Sequence, residues 1–263
     1  MPYKIIKEIL DDDGDLTYLS KDSEEKDLVV RKFEALEETE IDILLGRASQ
    51  LQQLIHPNIS QVREVLAAGE DYYLVEEIPF TMNLQEYLDQ KKKITMTMAS
   101  WIRDSLLSAL SAVHPHIIHG EIRPENVWID LENRTAVLSC FGIFEGAPVD
   151  HISSPEHHQG YQLTEESDIF SLGAFFYYIL TGIKLPNILK VKQGEMSFMP
   201  PRDHAGLEPE WNKFILQCLE IKKAKRFPDV KAIQTFFGGK VKMTPQSQQR
   251  RVSPESITRK QKD

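Results

Sequence analysis

The chain has 263 residues, of which 41% are hydrophobic and 27% charged, and this composition is typical of a globular protein with one large domain or two lobes. The most apolar segment, residues 169–183, contains serine, threonine and glycines, so it indicates a buried helix rather than a membrane span. Only two cysteines are present, and no apolar run of signal-peptide length opens the chain, so we expect a reducing compartment, the cytoplasm or the nucleus.

The formal charge of −9 is unevenly distributed. Residues 240–263 contain seven Lys or Arg and two Asp or Glu, an excess of five positive charges that leaves about −14 for the rest. An acidic body argues against nucleic-acid binding by the folded part. Residues 238–263 lack apolar periodicity and are predicted to be a disordered basic tail. Ser253 follows two arginines there and is a candidate phosphorylation site, although a merely solvating tail fits equally well.

Residues 1–78 are predicted to be rich in strands, with one long helix. Asp13-Gly14 is a strong hairpin-turn dipeptide, and a second turn is expected around residues 69–71. The predicted elements are strands within residues 10–19, 27–33, 61–67 and 72–78 and a helix over residues 33–55, stopped by His56-Pro57-Asn58.

After Pro79 the apolar residues follow helical spacing. This change divides the chain into a first part, residues 1–78, and a second part, residues 79–237. The second part is predicted to contain helices over residues 84–90, 98–113, 168–180, 208–219 and 229–237, interrupted by a strand-loop-strand insert at residues 117–138.

Five short motifs follow one another in this second part. They are His119-Gly120-Glu121-Ile122-Arg123-Pro124-Glu125-Asn126, Cys140-Phe141-Gly142, Ser154-Pro155-Glu156, residues 167–173 (SDIFSLG) and Lys225-Arg226-Phe227-Pro228. In order and spacing they resemble the H-R-D-L-K-P-E-N, D-F-G, A-P-E, S-D-V-W-S-L-G and K-R-P motifs of Ser/Thr protein kinases. The resemblance covers roughly residues 3–237 and implies an α+β, bilobal kinase-like fold, with a small β-rich N-lobe and a larger, mostly helical C-lobe.

The resemblance also implies structural roles for four residues. Glu156 is expected to form a buried salt bridge with Arg226, Asp168 to cap the backbone of the loop that begins at His119, and His119 to have the structural role of the H-R-D histidine. Because a buried pair is costly to break from one side, these roles are expected whether or not the site is catalytic.

Several residues depart from the family's catalytic chemistry. Glu121 replaces the catalytic aspartate, and its extra methylene displaces the carboxylate. Cys140 replaces the aspartate that binds magnesium in the family, and a thiol is a poor magnesium ligand. Asn126 is retained, but an amide without a carboxylate is better interpreted as a loop hydrogen-bonding group than as a ligand for a second metal.

The part that would contact nucleotide is also altered. Only Gly14 remains of the glycine-rich loop, and the aspartates of residues 11–15 would repel a triphosphate. Their spacing does not match a calcium-binding EF-hand loop, so a solvated hairpin tip is the preferred interpretation.

Two cations stand where the resemblance implies a lysine and a glutamate. Arg31 occupies the position of the strand lysine, with Lys32 as the alternative after a one-residue slip, and Arg47 occupies the position of the helix glutamate. The positive charges of Arg31 and Arg47 would then face each other and could not form an ion pair. Glu76, before the expected hinge, would disfavour a purine or pair with Arg31 or Arg47.

The sequence also lacks the residues typical of regulation by loop phosphorylation and of a zinc site. Gly120 replaces the arginine that receives a phosphorylated loop in the family, and Ser153 is the first hydroxyl residue after Cys140. A zinc site built from histidines is disfavoured because no cysteine spacing accompanies them. We therefore expect no metal and no cofactor, and Cys140 is predicted to be a small buried residue rather than a reactive thiol.

The sequence thus favours a catalytically inactive kinase-like domain, a pseudokinase. Such a domain would act as a scaffold or allosteric regulator, bind a protein partner that is either an active kinase or another signalling protein, and lack tight ATP binding. One alternative is a weak or unconventional kinase that uses Glu121 and Asn126. Another is a binding module whose basic tail engages a membrane or nucleic acid.

Overall fold

The computed structural model of the chain describes residues 3–10, 16–34, 36–80, 82–114, 116–141, 148–149, 151–205 and 207–238. Three sequence predictions therefore lie outside the described residues: the hairpin tip that contains Gly14, the disordered tail, and the phosphorylation site at Ser253. Most of the segment between Cys140 and Ser153 also lies outside them.

The N-lobe is a five-stranded antiparallel sheet in the order β1-β2-β3-β5-β4. Its strands are β1 (Lys4–Leu10), β2 (Leu16–Lys21), β3 (Asp27–Phe33), β4 (Gln61–Ala68) and β5 (Asp71–Glu77). The apolar run Leu28, Val29 and Val30 is buried throughout, as expected of a central strand with both faces covered. The predicted hairpin of β4 and β5 is confirmed.

Among the described residues of the N-lobe, one helix is present, and this helix, α1 (Glu38–Gln52), is shorter than predicted. Phe33 is the last residue of β3, where it pairs with Tyr72 instead of entering the helix. Glu37 is the N-cap, and its backbone N–H donates to the side chain of Glu40 in a capping box. The predicted start at Phe33 and end at Ile55 were therefore wrong, because local capping and strand pairing set the boundary.

The C-lobe is mostly helical, as predicted. Three short helices, over residues 155–158, 188–193 and 201–205, were not predicted, and each spans fewer than two turns. The helices are α2 (Leu84–Asp89), α3 (Met96–Val113), α4 (Pro155–His158), α5 (Glu165–Thr181), α6 (Ile188–Gln193), α7 (Pro201–Ala205), α8 (Pro209–Cys218) and α9 (Val230–Phe236), and the predicted insert forms the hairpin of β6 (Val127–Asp130) and β7 (Thr135–Leu138).

The centre of the C-lobe is α5, which is buried along most of its length. Phe176 packs against Trp211 and Phe214 of α8, with ring centroids 5.3 and 5.6 Å apart. Gly173 allows this close approach, because a Cβ at that position would lie 2.5 Å from the Cβ of Cys218.

The two lobes are joined by the β6-β7 hairpin. Leu138 accepts a hydrogen bond from the backbone of Ser60 and donates one to Asn58, at 3.0 and 2.9 Å. A separate apolar cluster links the N-lobe sheet to the same hairpin, and its buried members are Leu19, Val29, Ile78, Trp128 and Val137. The cleft between the lobes is thus bounded by β2, β3, β5 and this hairpin.

Candidate functional site

The loop that begins at His119 is held by Asp168 at the start of α5. The buried Asp168 carboxylate accepts hydrogen bonds from the backbone N–H groups of His119 and Gly120, at 2.7 and 2.8 Å. It also lies 2.8 Å from Nε2 of His114. The His119 ring contacts the carbonyl of Ser139, and burial lowers the pKa of its imidazole. These contacts give the loop a fixed position beneath the cleft.

Arg31 of β3 reaches across the cleft to this loop. Its Nη1 donates to Oε2 of Glu121 at 3.2 Å, and its Nη2 donates to Oδ1 of Asn126 at 2.6 Å. The amide Nδ2 of Asn126 donates in turn to the carbonyl of Glu121 at 2.9 Å. One guanidinium therefore binds both the carboxylate of Glu121 and the side-chain amide of Asn126.

Strand alternation explains why Arg31 rather than Lys32 faces the cleft. Successive side chains of a strand point to opposite faces, and Lys32 instead pairs with Glu34 and Asp71, at 2.6 and 3.0 Å. The structure thus brings Arg31, Glu121 and Asn126 together, in the register that the sequence analysis preferred.

Arg47 does not oppose Arg31 as the sequence analysis expected. Its Nη1 lies 3.3 Å from the carbonyl of His116 in the C-lobe and 3.4 Å from Oε1 of Gln50. That expectation was wrong because each guanidinium has its own oxygen acceptors, and the counter-charge of Arg31 is supplied by Glu121 from the other lobe.

The electrostatics of Glu121 follow from its two arginine neighbours. Burial raises the pKa of this carboxyl, but the charges of Arg31 and Arg123 lower it further, so the pKa lies below its ordinary value. Glu121 is therefore ionised at neutral pH, and it is held as the acceptor in an ion pair.

Glu76 of β5 is buried in the back of the cleft, with 1% of its surface exposed. Its Oε1 accepts hydrogen bonds from the hydroxyl of Ser60 and from the backbone N–H of Cys140, the latter at 3.1 Å. Burial raises its pKa, and the charge of Arg31 lowers it only in part. Of the two cations suggested by the sequence, Arg31 acts on Glu76 electrostatically, whereas Arg47 contacts other groups.

Cys140 is buried beside Glu76 and has a left-handed backbone, with φ of +67°. Burial raises the pKa of its thiol, and the charges of Glu76 and Glu121 raise it further against the opposing charge of Arg31. The thiol is therefore protonated at neutral pH and behaves as the small buried group that the sequence predicted.

The cavity left between these residues has a volume of about 10 Å³ and is lined in part by Val29, Arg31, Glu76, Asn126 and Trp128. Such a volume accommodates about one water molecule. Ligand pockets of proteins typically enclose about 300–1,000 Å³, so this cavity is much smaller than an ordinary ligand site.

Trp128, which was not singled out from the sequence, is one of the residues that line this cavity. Only 1% of its surface is exposed, and it packs with Val29 and Ile78 of the N-lobe. Its indole N–H donates to Oγ of Ser139 at 3.1 Å. The sequence shows only that a large aromatic residue lies in a predicted strand. This pattern is equally typical of ordinary core packing, so it could not predict that Trp128 lies at the cleft.

The structure also brings Glu156 and Arg226 together, away from the cleft. Two parallel hydrogen bonds of 2.7 and 2.9 Å join the guanidinium to the carboxylate, and Ser167 donates a third at 2.7 Å. Burial raises the pKa of Glu156, but the hydrogen bonds from Arg226 and Ser167 lower it to about 2.

Among the described residues, no group of His, Cys, Asp and Glu is arranged to hold a metal ion. No helix in the described part of the chain is long and apolar enough to cross a bilayer.

Residues 16–237 match the family model of the protein kinase domain. Because this match covers most of the chain, the chain belongs to the protein kinase domain family, and the resemblance and the α+β bilobal fold are confirmed. A crystal structure of Rad53 1–466 in complex with AMP-PNP has the same fold, with a TM-score of 0.71 and 19% identity over 86% of this chain and 62% of that one.

Curated relatives are similar at a moderate level. The probable serine/threonine-protein kinase PknB of Lactococcus lactis is 30% identical, over 54% of this chain and 25% of that protein. The serine/threonine-protein kinase PrkC of Bacillus subtilis is 30% identical over 51% and 23%, and the human hormonally up-regulated neu tumor-associated kinase is 29% identical over 59% and 24%. The chain therefore spans about a quarter of the length of these relatives.

Proposed function

We propose that this chain is a pseudokinase, a kinase domain that does not transfer phosphate and that acts as a scaffold or allosteric regulator of a protein partner. The observation that carries the proposal is the bridge from Arg31 to Glu121 and Asn126. One guanidinium of the chain itself therefore binds both the Glu121 carboxylate and the Asn126 amide, the two groups that could have served catalysis.

The first consequence concerns the catalytic base. A general base must be free to reach the proton that it removes, and its pKa works best near the operating pH. Glu121 is fixed by Arg31, and its pKa is below the ordinary value. Both properties make it a poor base for a substrate hydroxyl.

The second consequence concerns the metal. Kinases use magnesium to neutralise the phosphates, held by an aspartate and an asparagine. Here the aspartate position is a buried, protonated thiol, and the asparagine oxygen accepts from a guanidinium. The donor set does not fit magnesium, which prefers several hard oxygen ligands.

The third consequence concerns the nucleotide. Trp128 of β6 packs against Val29 and Ile78 of the N-lobe, and the cavity of about 10 Å³ is lined in part by Arg31 and Glu76. Binding of ATP would require the lobes to separate, the indole to move and the ion pair of Arg31 to break. The combined cost supports the absence of tight ATP binding.

Thermal denaturation with Mg-ATP tests this proposal directly. A ligand at a hundred times its dissociation constant stabilises a protein by about 2.7 kcal/mol, and we expect no such shift for this chain, whereas an active kinase domain in parallel should show it. Labelling of a peptide by the purified chain from radioactive ATP, abolished by Glu121→Ala, would refute the proposal.

A weak kinase remains the second candidate, because Glu121 retains a carboxylate on a loop that Asp168 anchors. It requires that Arg31 release the loop. Labelling by the wild type that is abolished in Glu121→Gln and increased in Arg31→Met would favour this candidate.

The regulatory role has its own test. The purified chain should change the rate of an active kinase that binds it, and the effect should persist in Glu121→Gln, which alters the catalytic position. An effect that requires Glu121 would point to catalysis instead of scaffolding.

A further inference from the structure

A second and much larger cavity lies in the C-lobe. It has a volume of about 800 Å³ and lies between the turn that joins α2 to α3 and the C-terminal end of α5. It shares no lining residue with the cleft between the lobes. The size is within the range of protein ligand sites, about 300–1,000 Å³.

The floor of this groove is apolar. Ile94 and Met96 contribute from the turn and the start of α3, and Tyr178, Ile179 and Leu180 contribute from α5. Most of these side chains are only partly buried, so the groove offers apolar surface that a ligand could cover.

The rim of the groove carries three consecutive lysines, Lys91, Lys92 and Lys93, all exposed. Within the part of the chain that the structure describes, Lys91 and Lys93 have no ion-pair partner, while Lys92 lies over the ring of Tyr87 at 5.0 Å. This concentration of positive charge contrasts with the chain as a whole, whose formal charge is −9.

We propose that this groove docks an acidic, amphipathic segment of a partner protein. Aliphatic side chains of the segment would cover the floor at Ile94 and Leu180, and its carboxylates would lie against Lys91 and Lys93. Apolar anchors in a groove with complementary charge at the rim are a recurrent mode of peptide recognition. The proposal is independent of catalytic inactivity, because the groove and the cleft are separate.

The shape and charge of the surroundings favour a protein segment over a lipid bilayer. The lysines border a concave groove, whereas a bilayer contacts a convex or flat surface and is attracted by net positive charge.

Selection from a random peptide library identifies the preferred occupant. Phage that display random 12-residue peptides are panned on the full chain and counter-selected on the variant K91E/K92E/K93E. We expect the enriched peptides to combine Asp or Glu with Leu, Ile, Val or Phe. Enrichment of basic or purely polar peptides, or no enrichment over unselected phage, would overturn the proposal.

Fluorescence anisotropy with one enriched peptide then tests the site. We expect K91E/K92E/K93E to weaken binding at least about tenfold and K190E/K192E/K222E, which makes the same charge change on exposed lysines outside the groove, to weaken it less than about threefold. A peptide with Gln in place of its acidic residues should bind like the weakened variant.

Two results would contradict this assignment. Equal weakening by both triple variants would mean that only the overall charge matters. Binding of the wild type to phosphatidylserine vesicles that K91E/K92E/K93E abolishes, without peptide binding, would assign the surface to a membrane.

Discussion

Nη2 of Arg31 donates to Oδ1 of Asn126 over 2.6 Å, which joins the central strand of the N-lobe to the loop of the C-lobe. The same guanidinium neutralises Glu121. A position that the family uses to hold a nucleotide phosphate therefore stabilises the closed arrangement of the two lobes.

Replacing Arg31 by Met should destabilise the fold. The change leaves the carboxylate of Glu121 with only Arg123, at 4.0 Å, and because the side chain of Glu121 is 24% exposed we expect a loss below the value of about 3–5 kcal/mol for a fully buried pair. Urea denaturation at neutral pH measures the loss. Lys32→Met is the matched control, because it breaks only pairs near the surface and should cost less than about 1 kcal/mol. Equal losses in the two variants would mean that the bridge contributes little.

The stability contributed by Glu156 should disappear in acid. Its pKa is about 2 in the folded protein and 4.5 ordinarily. A carboxyl whose pKa is lower in the folded than in the unfolded protein stabilises the fold when the pH is above the unfolded pKa. This contribution is lost as the pH falls toward the folded pKa. The difference corresponds to about 3 kcal/mol at neutral pH.

Glu156→Gln tests this prediction by urea denaturation between pH 7 and pH 2. The variant should be less stable than the wild type at pH 7, and the difference should shrink as the pH approaches 2. Glu70→Gln, at an exposed turn, should change little at any pH. A difference between wild type and Glu156→Gln that stays constant with pH would contradict the assignment.

Glu76 should show the opposite dependence on pH. Burial raises its pKa above the ordinary 4.5, so the carboxyl ionises less readily in the folded than in the unfolded protein. The free energy of unfolding therefore decreases as the pH rises from 4.5 through the folded pKa. Glu76→Gln removes the charge and retains an acceptor for Ser60 and Cys140.

We expect Glu76→Gln to be more stable than the wild type at pH 8, with a smaller difference at pH 4, in chemical denaturation. Glu77→Gln is the control on the neighbouring, more exposed residue of the same strand. If Glu76→Gln is the less stable protein at pH 8, the buried carboxylate is stabilising and our account of the cleft is wrong.

Gly120 should resist substitution for a backbone reason. Its φ is +79°, and a Cβ there would meet only the Cδ1 of Leu163 at an ordinary 3.5 Å. Gly120→Ala should therefore cost about 1–2 kcal/mol through the left-handed conformation alone. Gly46→Ala, in the open middle of α1, should instead stabilise by about 0.5–1 kcal/mol. Thermal or urea unfolding of the two variants gives the comparison.

Restoring an aspartate at position 140 should not restore nucleotide binding. The new carboxylate would lie near Glu76 and Glu121, whose charges already raise the pKa of the Cys140 thiol. We expect Cys140→Asp to be less stable than Cys140→Ser at pH 8, with no stabilisation by Mg-ATP. A clear Mg-ATP shift in Cys140→Asp would show that only the metal ligand was missing.

Much of the fold could be predicted because its signals are local. Apolar residues at strand or helix spacing, the hairpin turn between β4 and β5, and the motif order around His119, Glu156 and Arg226 all depend on short stretches of chain. The errors fell where two local preferences compete. Phe33 fits the start of a helix as well as the end of a strand, and pairing with Tyr72 decided for the strand.

The sequence by itself determined that a kinase-like fold lacks its usual chemical groups, because residue identity at a motif position is enough to establish that Cys140 is not an aspartate. Only the tertiary structure decided what replaced them. Arg31 and Asn126 are 95 residues apart, Trp128 of the β6-β7 hairpin packs against the N-lobe sheet, and Arg47 contacts a carbonyl of the C-lobe. Such contacts depend on how the lobes pack, since side-chain direction across a cleft is set by strand register and lobe docking rather than by neighbours in the chain.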